Sequence, residues 1–440
     1  MNIIIAGAGK VGFYLAKSLS TFHNVIVIDK DSEKISTIED SLDVLAIVGN
    51  VCNKKVYMEC GKEEIDFFLA ITNSDETNIV ASMVIDEVLT IKQKILRIYK
   101  NFYKNNNLNN IGNFKAIYPS YKVARSMNYL LEYPYANNVK KFDKMDTFLL
   151  SIRIKNKNLL NKNIEELKYS GINIVGVERS NEFIILHDNL KLHFNDLIYI
   201  FANKEKIDNF ENLLFEDKKE FNSAIIFGAN RLSIEVSKVL ISNKIEVKIV
   251  EKDKELCKYA QDELTSEVII INSRWGHFLR EENIGKADIF IATRDDDEFN
   301  IIKSLEAKAA GSKKVITINN EREYYNLMHS LGLTVIRGEK INTYYSILES
   351  ISSDITITKK SYCGGKALAL GKTLTKHSTF INNQLKVPSK IENKAKVFLV
   401  SKDEIFYDFS NRSCNIGDSL VAFCYTEDKE IVEKWLYKEI

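Results

Sequence analysis

Asn2-Ile3-Ile4-Ile5-Ala6 runs directly into Gly7-Ala8-Gly9-Lys10-Val11-Gly12. The apolar run is too short for a helix and reads as a strand buried on both faces of a parallel sheet. The glycines fit G-x-G-x-x-G. Val11, Leu15 and Leu19 then recur at helical spacing, with Ala16 and Ser18 keeping that helix slim. A second strand, Val25-Ile26-Val27-Ile28, ends on Asp29. In this pattern Gly7 permits a tight turn, Gly9 lets the main chain approach a pyrophosphate, and Gly12 lets helix pack closely on strand. The helix start offers unpaired N–H groups and a partial positive charge. Asp29 stands about 20 residues beyond the glycines, where a carboxylate accepts ribose hydroxyls and repels a 2′-phosphate. NAD or an adenine nucleotide is therefore favoured over NADP. Strand, glycine turn, helix and acid-ended strand together predict a nucleotide-binding Rossmann unit.

Further strand signals lie at 44–48, 66–71, 94–98 and 115–118, with helical stretches between them that include 76–89. Strands alternating with helices imply crossovers and a doubly wound parallel sheet. Pro119 closes the last strand. Residues 121–132 form an amphipathic helix (Val123, Met127, Leu130, Leu131) ended by Pro134, either an assembly surface or a helix buried within one lobe. From about Phe142 the texture changes to short strands at 147–152, 172–177, 183–186 and 197–201, with one helical stretch at 164–169. These predict a small α+β lobe without a glycine turn. A closing helix at 207–215 and the charged run 216–220 mark its end.

The pattern then restarts. Residues 223–233 repeat the first strand and turn, 247–251 repeat the acid-ended strand, and 289–300 match 67–78, at an offset of about 221. Several separate elements in register make internal duplication the economical reading. The β-rich stretches 395–400 and 419–425 and a helix at 429–437 occupy the place of a second small lobe. The expected architecture is α/β: two tandem Rossmann-like doubly wound parallel sheets, each followed by a small α+β lobe. The boundaries fall at 1–135, 136–220, 221–354 and 355–440. In the second copy Asn230 and Ser233 replace two motif glycines. Asn tolerates positive φ and Ser is small, so the turn is expected to survive, with Arg231 able to attract a phosphate.

Bulk properties exclude several classes. A net charge of +1 gives no general pull toward nucleic acid or anionic lipid. No stretch reaches the 18 apolar residues of a membrane-spanning helix, and Met1 leads straight into a core strand rather than a signal peptide. A cytoplasmic protein is expected, attached to a membrane only through a partner. Six scattered cysteines without C-x-x-C suit reduced thiols better than a disulfide frame or a zinc site.

Taken together, the Gly-Ala-Gly-Lys-Val-Gly motif, the Ala-Ile-Thr-Asn-Ser-Asp-Glu-Thr-Asn block at 70–78 and the tandem arrangement resemble the two-unit RCK (KTN) regulatory subunits of bacterial Trk-type potassium uptake systems. The resemblance runs end to end and is poorest in the final lobe. It implies that Gly7, Ala8, Gly9, Lys10 and Val11 wrap the phosphates of NAD(H), or of ATP or ADP at the same site, with Asp29 on the adenosine ribose. It also implies that Thr72 and Asn73 meet the ligand across the crevice and that Arg97 faces the nucleotide. Thr72 equally suits a helix N-cap, and Arg97 a surface position. Gly49-Asn50 stands where the family commonly has Gly-Asp. The implied partners are a membrane potassium-transporting subunit of Trk type and further copies of the chain, as a homotetramer.

Catalytic chemistry is scarce. H-E-x-x-H, G-x-S-x-G and P-loop motifs are absent. His187 and His193 lack metal-site spacing. The run Asp295-Asp296-Asp297-Glu298 opens a helix, where carboxylates favour the positive end of the dipole. Neither catalytic nor metal residues are therefore assigned. The alternative is an NAD-dependent oxidoreductase acting on a small substrate, although the small lobes leave little to enclose one. A regulator of an antiporter would differ only in its membrane partner.

Overall fold

The computed structural model describes residues 1–61, 64–100, 113–142, 145–155, 172–187, 190–214, 220–264, 268–272, 287–351, 357–381, 385–401, 404–407 and 412–438. The chain divides into two compact units, Met1–Val123 with Arg337–Ser352, and Ala124–Ile336 with Ser353–Ile440.

The first unit is built on strands β1 (Asn2–Ala6), β2 (Asn24–Asp29), β3 (Leu45–Val48), β4 (Ile65–Ala70), β5 (Ile91–Arg97) and β6 (Lys115–Ile117). Their order is 3-2-1-4-5-6, and every neighbouring pair is parallel. This order belongs to a dinucleotide-binding sheet, and the strand order reverses between β1 and β4. Helices α1 (Lys10–Leu19), α2 (Ser32–Ser41), α3 (Lys54–Met58) and α4 (Asp75–Val84) make the crossovers. Ile3 and Ile5 of β1 pack with Val11 and Leu15 of α1 on one face, whereas Ile4 packs with Phe68 and Tyr57 on the other. Both faces are covered, hence the unbroken apolar run in β1.

The first sheet has an unexpected cover. The helix Glu339–Ile351, more than 300 residues downstream, buries Tyr344 and Ile347 in the core beneath α1. Each such burial is worth about 1.5–3 kcal/mol. Ser18 and Tyr344 share a hydroxyl hydrogen bond of 2.7 Å, Lys122 donates to Ser346 at 2.7 Å, and the Ser120 hydroxyl donates to Glu339. Sequence order groups this helix with the second copy, but packing gives it to the first sheet.

In the second unit, β7 (Ala136–Phe142), β8 (Thr147–Arg153), β9 (Asn173–Arg179), β10 (Glu182–Ile185) and β11 (Leu197–Asn203) form an antiparallel sheet. Strand β7 begins earlier than the texture of the sequence suggested, because Asn137, Asn138, Lys140 and Lys141 mask it. Strands β12 (Ser223–Phe227), β13 (Glu246–Glu251), β14 (Val268–Asn272), β15 (Ile289–Ala292), β16 (Lys314–Asn319) and β17 (Thr334–Arg337) repeat the 3-2-1-4-5-6 order of the first sheet. A last antiparallel sheet holds β18 (Ile357–Tyr362), β19 (Ala367–Thr373), β20 (Ala395–Ser401), β21 (Glu404–Phe406) and β22 (Ser419–Tyr425). The two antiparallel sheets share one aromatic core, with Phe201 ring centroids 5.0 Å from Phe423 and 5.6 Å from Phe398.

The amphipathic helix spans Pro119–Glu132, with proline at its first position, where the missing N–H costs nothing. Its apolar residues Val123, Ala124, Met127 and Leu130 are buried. The expected closing helix is Lys204–Leu214. The helix expected at 164–169 lies outside the described residues, as does most of the run 216–220. Among the described residues, no helix is long and apolar enough to cross a membrane.

Candidate functional site: the crevice of the first sheet

The carboxyl ends of β1, β2, β4 and β5 surround a cleft of about 700 Å³. Gly7, Gly9, Lys10, Val11, Gly12, Asp29, Thr72, Asn73 and Arg97 all line it. Ala8 lies buried just behind, and its N–H donates to Asp29 Oδ2 at 2.7 Å. The structure thus brings all ten expected residues to one place.

The three glycines have separable reasons. Gly7 turns the chain with φ +121°, a region that L side chains rarely adopt. At Gly12 an added Cβ would lie 1.9 Å from the Gly7 carbonyl oxygen, so α1 crosses β1 only because no side chain is there. Gly9 is different. It sits in extended backbone (φ −68°, ψ −178°), and an added Cβ would meet no protein atom within 4 Å. Neither strain nor packing within the chain asks for glycine at this position.

Gly9 is also the N-cap of α1 and gives it no side-chain hydrogen bond. The neighbouring helices differ: Asp31 caps α2, Asn53 caps α3 and Ser74 caps α4. The N-cap expected of Thr72 is therefore two residues out. The Thr72 hydroxyl instead donates to Asn78 Oδ1 at 2.7 Å, and the Asn78 amide donates to the carbonyls of Thr72 and Arg97 at 3.0 and 2.8 Å. Asn78 is fully buried and clamps the ends of β4 and β5, a role its place in the 70–78 block does not announce.

Charge in the cleft is lopsided. Lys10, Lys30, Lys34, Arg97 and Lys340 line it against a single lining carboxylate, Asp29. Lys34 pairs with Asp31 at 2.7 Å. Arg97 is buried; its Nη2 donates to the Ile71 carbonyl at 2.5 Å and to Asn73 Oδ1 at 3.0 Å, and its Nε has no partner. Among the described residues no carboxylate pairs with it. A desolvated guanidinium without a counter-charge suits an anion entering from the cleft. Asp29 accepts from Ala8 and, at 3.0 Å, from the Asp31 N–H, so it braces the glycine turn and faces the cleft at once. Asn50 also lines the cleft and accepts the Cys52 N–H at 2.9 Å. Lys340 was missed by sequence reasoning: it reaches this cleft from the helix Glu339–Ile351.

The second copy has filled the corresponding space with its own side chains. Asn230 is not at positive φ; it caps its helix from extended backbone (φ −84°, ψ −179°), and Gly228 alone takes the turn at φ +107°. Asn230 Oδ1 accepts the Ser233 N–H at 3.0 Å, and its amide donates to the Thr293 carbonyl at 2.7 Å. Glu251, the counterpart of Asp29, is buried and accepts from the N–H groups of Ala229, Lys252 and Asp253, with Arg294 Nη1 3.5 Å away. The acidic run resolves as a helix start: Asp296 caps, and buried Asp297 accepts the N–H groups of Asn320 and Glu321. Burial raises the Asp297 carboxyl above its ordinary value despite those donors.

Comparison with known proteins gives a consistent picture. A TrkA-N domain matches residues 3–119 and again 224–337, and a TrkA-C domain matches 149–214. The Trk system potassium uptake protein TrkA homolog of Archaeoglobus fulgidus is 26% identical over 440 residues, covering 99% of each chain. The TrkA protein of Halomonas elongata is 26% identical over 84% of this chain and 83% of its own. Among solved structures, the GsuK channel bound to NAD superposes with a TM-score of 0.62 at 14% identity, over 99% of this chain and 79% of that one. GsuK bound to ADP superposes at 0.52 and 11% identity, over 80% and 69%. At such identities the structures establish a shared fold.

Proposed function

This chain belongs to the TrkA-N domain family, and from that membership we propose that it is a nucleotide-sensing regulatory subunit of a potassium transporter. In this reading NAD(H), or ATP or ADP in the same crevice, binds the first cleft and is not transformed. Its phosphates rest on the main chain of Gly7 to Val11 and on the start of α1. Asp29 takes the adenosine ribose, and Thr72, Asn73 and Arg97 face the ligand from the opposite strand ends. One observation carries the reading: α1 starts on a glycine that nothing in the protein requires, without a side-chain cap, beside a buried guanidinium whose Nε has no partner. The full-length likeness to Trk system potassium uptake proteins supports the transport role. NAD and ADP bound to chains of this fold support the ligand class.

The chain works at the cytoplasmic face, held to a Trk-type membrane subunit, with its four segments (1–135, 136–220, 221–354 and 355–440) assembled as a homotetramer. A coupling of about 1–3 kcal/mol between nucleotide and transporter is enough to bias an open state. Calorimetric titration of the wild type and Asp29→Asn with NAD, NADH, ATP and ADP tests the site. Asparagine keeps an acceptor for the glycine turn but loses the charge, so all four ligands are expected to weaken about tenfold. Unchanged affinities would remove Asp29 from the site, and turnover of nicotinamide across substrate panels would favour an oxidoreductase.

A further inference from the structure

A second cleft, of about 470 Å³, lies wholly within the second unit. It sits where β16 begins, at the amino end of the second parallel sheet, away from the carboxyl ends where such sheets hold nucleotides. Arg153, Lys155, Lys308, Lys313 and Lys314 line it, and no lining residue is acidic.

Some of these cations have structural work. Lys313 pairs with Asp288 at 2.6 Å. Buried Lys314 donates to the carbonyls of Leu130, Pro134 and Ala136 at 3.1, 2.8 and 3.2 Å. Lys308, in the last turn of the helix Asp297–Ala309, donates to the Leu331 carbonyl at 2.8 Å, as basic residues near a helix end commonly do.

Arg153 is not explained in this way. Its Nη1 donates to the Asn195 carbonyl at 3.0 Å and its Nη2 to the His329 carbonyl at 3.4 Å. Its Nε is buried without a partner, and no carboxylate among the described residues pairs with the guanidinium. Burial pulls Arg153 below its ordinary value, with Glu178 opposing. Burial, then Lys155, then Arg153 pull Lys308 down. Three cations that repel one another around one cleft, one of them desolvated, form an arrangement that an incoming anion would relieve. A solvated lysine face accounts for Lys155 and Lys313 at the rim but not for the orphaned Nε of Arg153.

We propose that the cleft ringed by Arg153, Lys155 and Lys308 binds an oligophosphate anion, free or as the tail of a nucleotide. The cleft volume lies within the range of about 300–1,000 Å³ usual for small-molecule sites. The bound anion joins the end of β8 to the helix Asp297–Ala309, tying an antiparallel sheet to the second parallel sheet. This site stands or falls independently of the first crevice.

The test is calorimetry of the full chain with inorganic pyrophosphate, against sodium chloride at matched ionic strength. Wild type, Lys155→Glu, Lys308→Glu and Gly9→Asn are compared, the last to disable the first crevice. Pyrophosphate binding is expected to persist in Gly9→Asn and to weaken about tenfold in each charge reversal, as one charge-assisted contact becomes a repulsion. Lys155 is exposed, so its reversal leaves the fold intact, which an unchanged melting temperature without anion verifies. Three results each overturn the proposal: binding no tighter than the chloride control, wild-type affinity in both reversals, or loss of all binding in Gly9→Asn. If pyrophosphate binds as proposed, titration of Gly9→Asn with ATP identifies the source: tighter ATP binding means a nucleotide tail, weaker a free oligophosphate.

Discussion

Gly9→Asn copies into the first repeat what the second repeat already carries. The main chain accepts it, because Gly9 (φ −68°, ψ −178°) and Asn230 (φ −84°, ψ −179°) share one conformation. Space accepts it too, since no protein atom lies within 4 Å of the added Cβ. The new side chain would accept from the Gly12 N–H, counterpart of Ser233, and donate to the Ile71 carbonyl, counterpart of Thr293. Exchanging glycine for asparagine at an N-cap raises stability by a few tenths of a kcal/mol. The same side chain then occupies the position proposed above for a ligand phosphate. Losing one hydrogen bond to a charged group costs about 1.5–3 kcal/mol, or roughly 10- to 150-fold in affinity. Calorimetry with NAD and ATP, paired with thermal denaturation, reads both quantities. A variant that melts no earlier than wild type yet binds nucleotide as tightly would show that the phosphates do not sit at the start of α1.

Three further outcomes are expected. Lys340→Gln should weaken ATP by about two- to tenfold, NAD less, and the difference should shrink in high salt; equal affinities at low salt would mean that this lysine does not meet the ligand. Glu251→Ala should destabilise the fold by about 2–4 kcal/mol in chemical denaturation, because it strands several buried donors, and should leave nucleotide binding in the first crevice unchanged; matched losses of binding would show that the second crevice takes ligand. Burial first, with Arg153 adding and Glu178 opposing, pushes His329 down to about 4, so the folded chain keeps it neutral while the unfolded chain protonates it below its ordinary 6.5. Its contribution is therefore complete above about pH 6.5 and is lost as pH falls toward 4, roughly 3 kcal/mol over two and a half units, and His329→Phe should flatten that limb of the stability profile; an unchanged profile would refute the assignment.

What could be read in the sequence was what the chain writes locally. The glycine turn, its helix and the strand ending in Asp29 lie within 30 residues, so spacing alone carries their geometry. The duplication was legible because Ala70, Asp75, Glu76 and Asn78 have counterparts in Ala292, Asp297, Glu298 and Asn300. Asn230 was misread for a physical reason: replacing glycine suggests a need for positive φ, but Gly228 meets that need and Asn230 acts through its side chain. Lys340 could not be found at all, because the pattern of an amphipathic helix says which face is buried and not which sheet buries it. Tyr344 and Ile347 would satisfy helical periodicity against either sheet.

That docking gives the divergence of the two copies a use. In the second crevice Asn230 bonds to Ser233 and Arg294 pairs with Glu251, so that helix start is held by the chain's own side chains. The first leaves its helix start without a side-chain cap and the Arg97 Nε without a partner. A ligand shifts a conformational equilibrium only by binding two arrangements unequally. A helix from the second copy supplies Lys340 to the wall of the first crevice, so an arrangement that keeps that helix docked offers a polyphosphate one more positive charge than one that does not. Loss of uncommitted donors in one copy and their retention in the other is the division expected if one crevice senses and the other holds the frame.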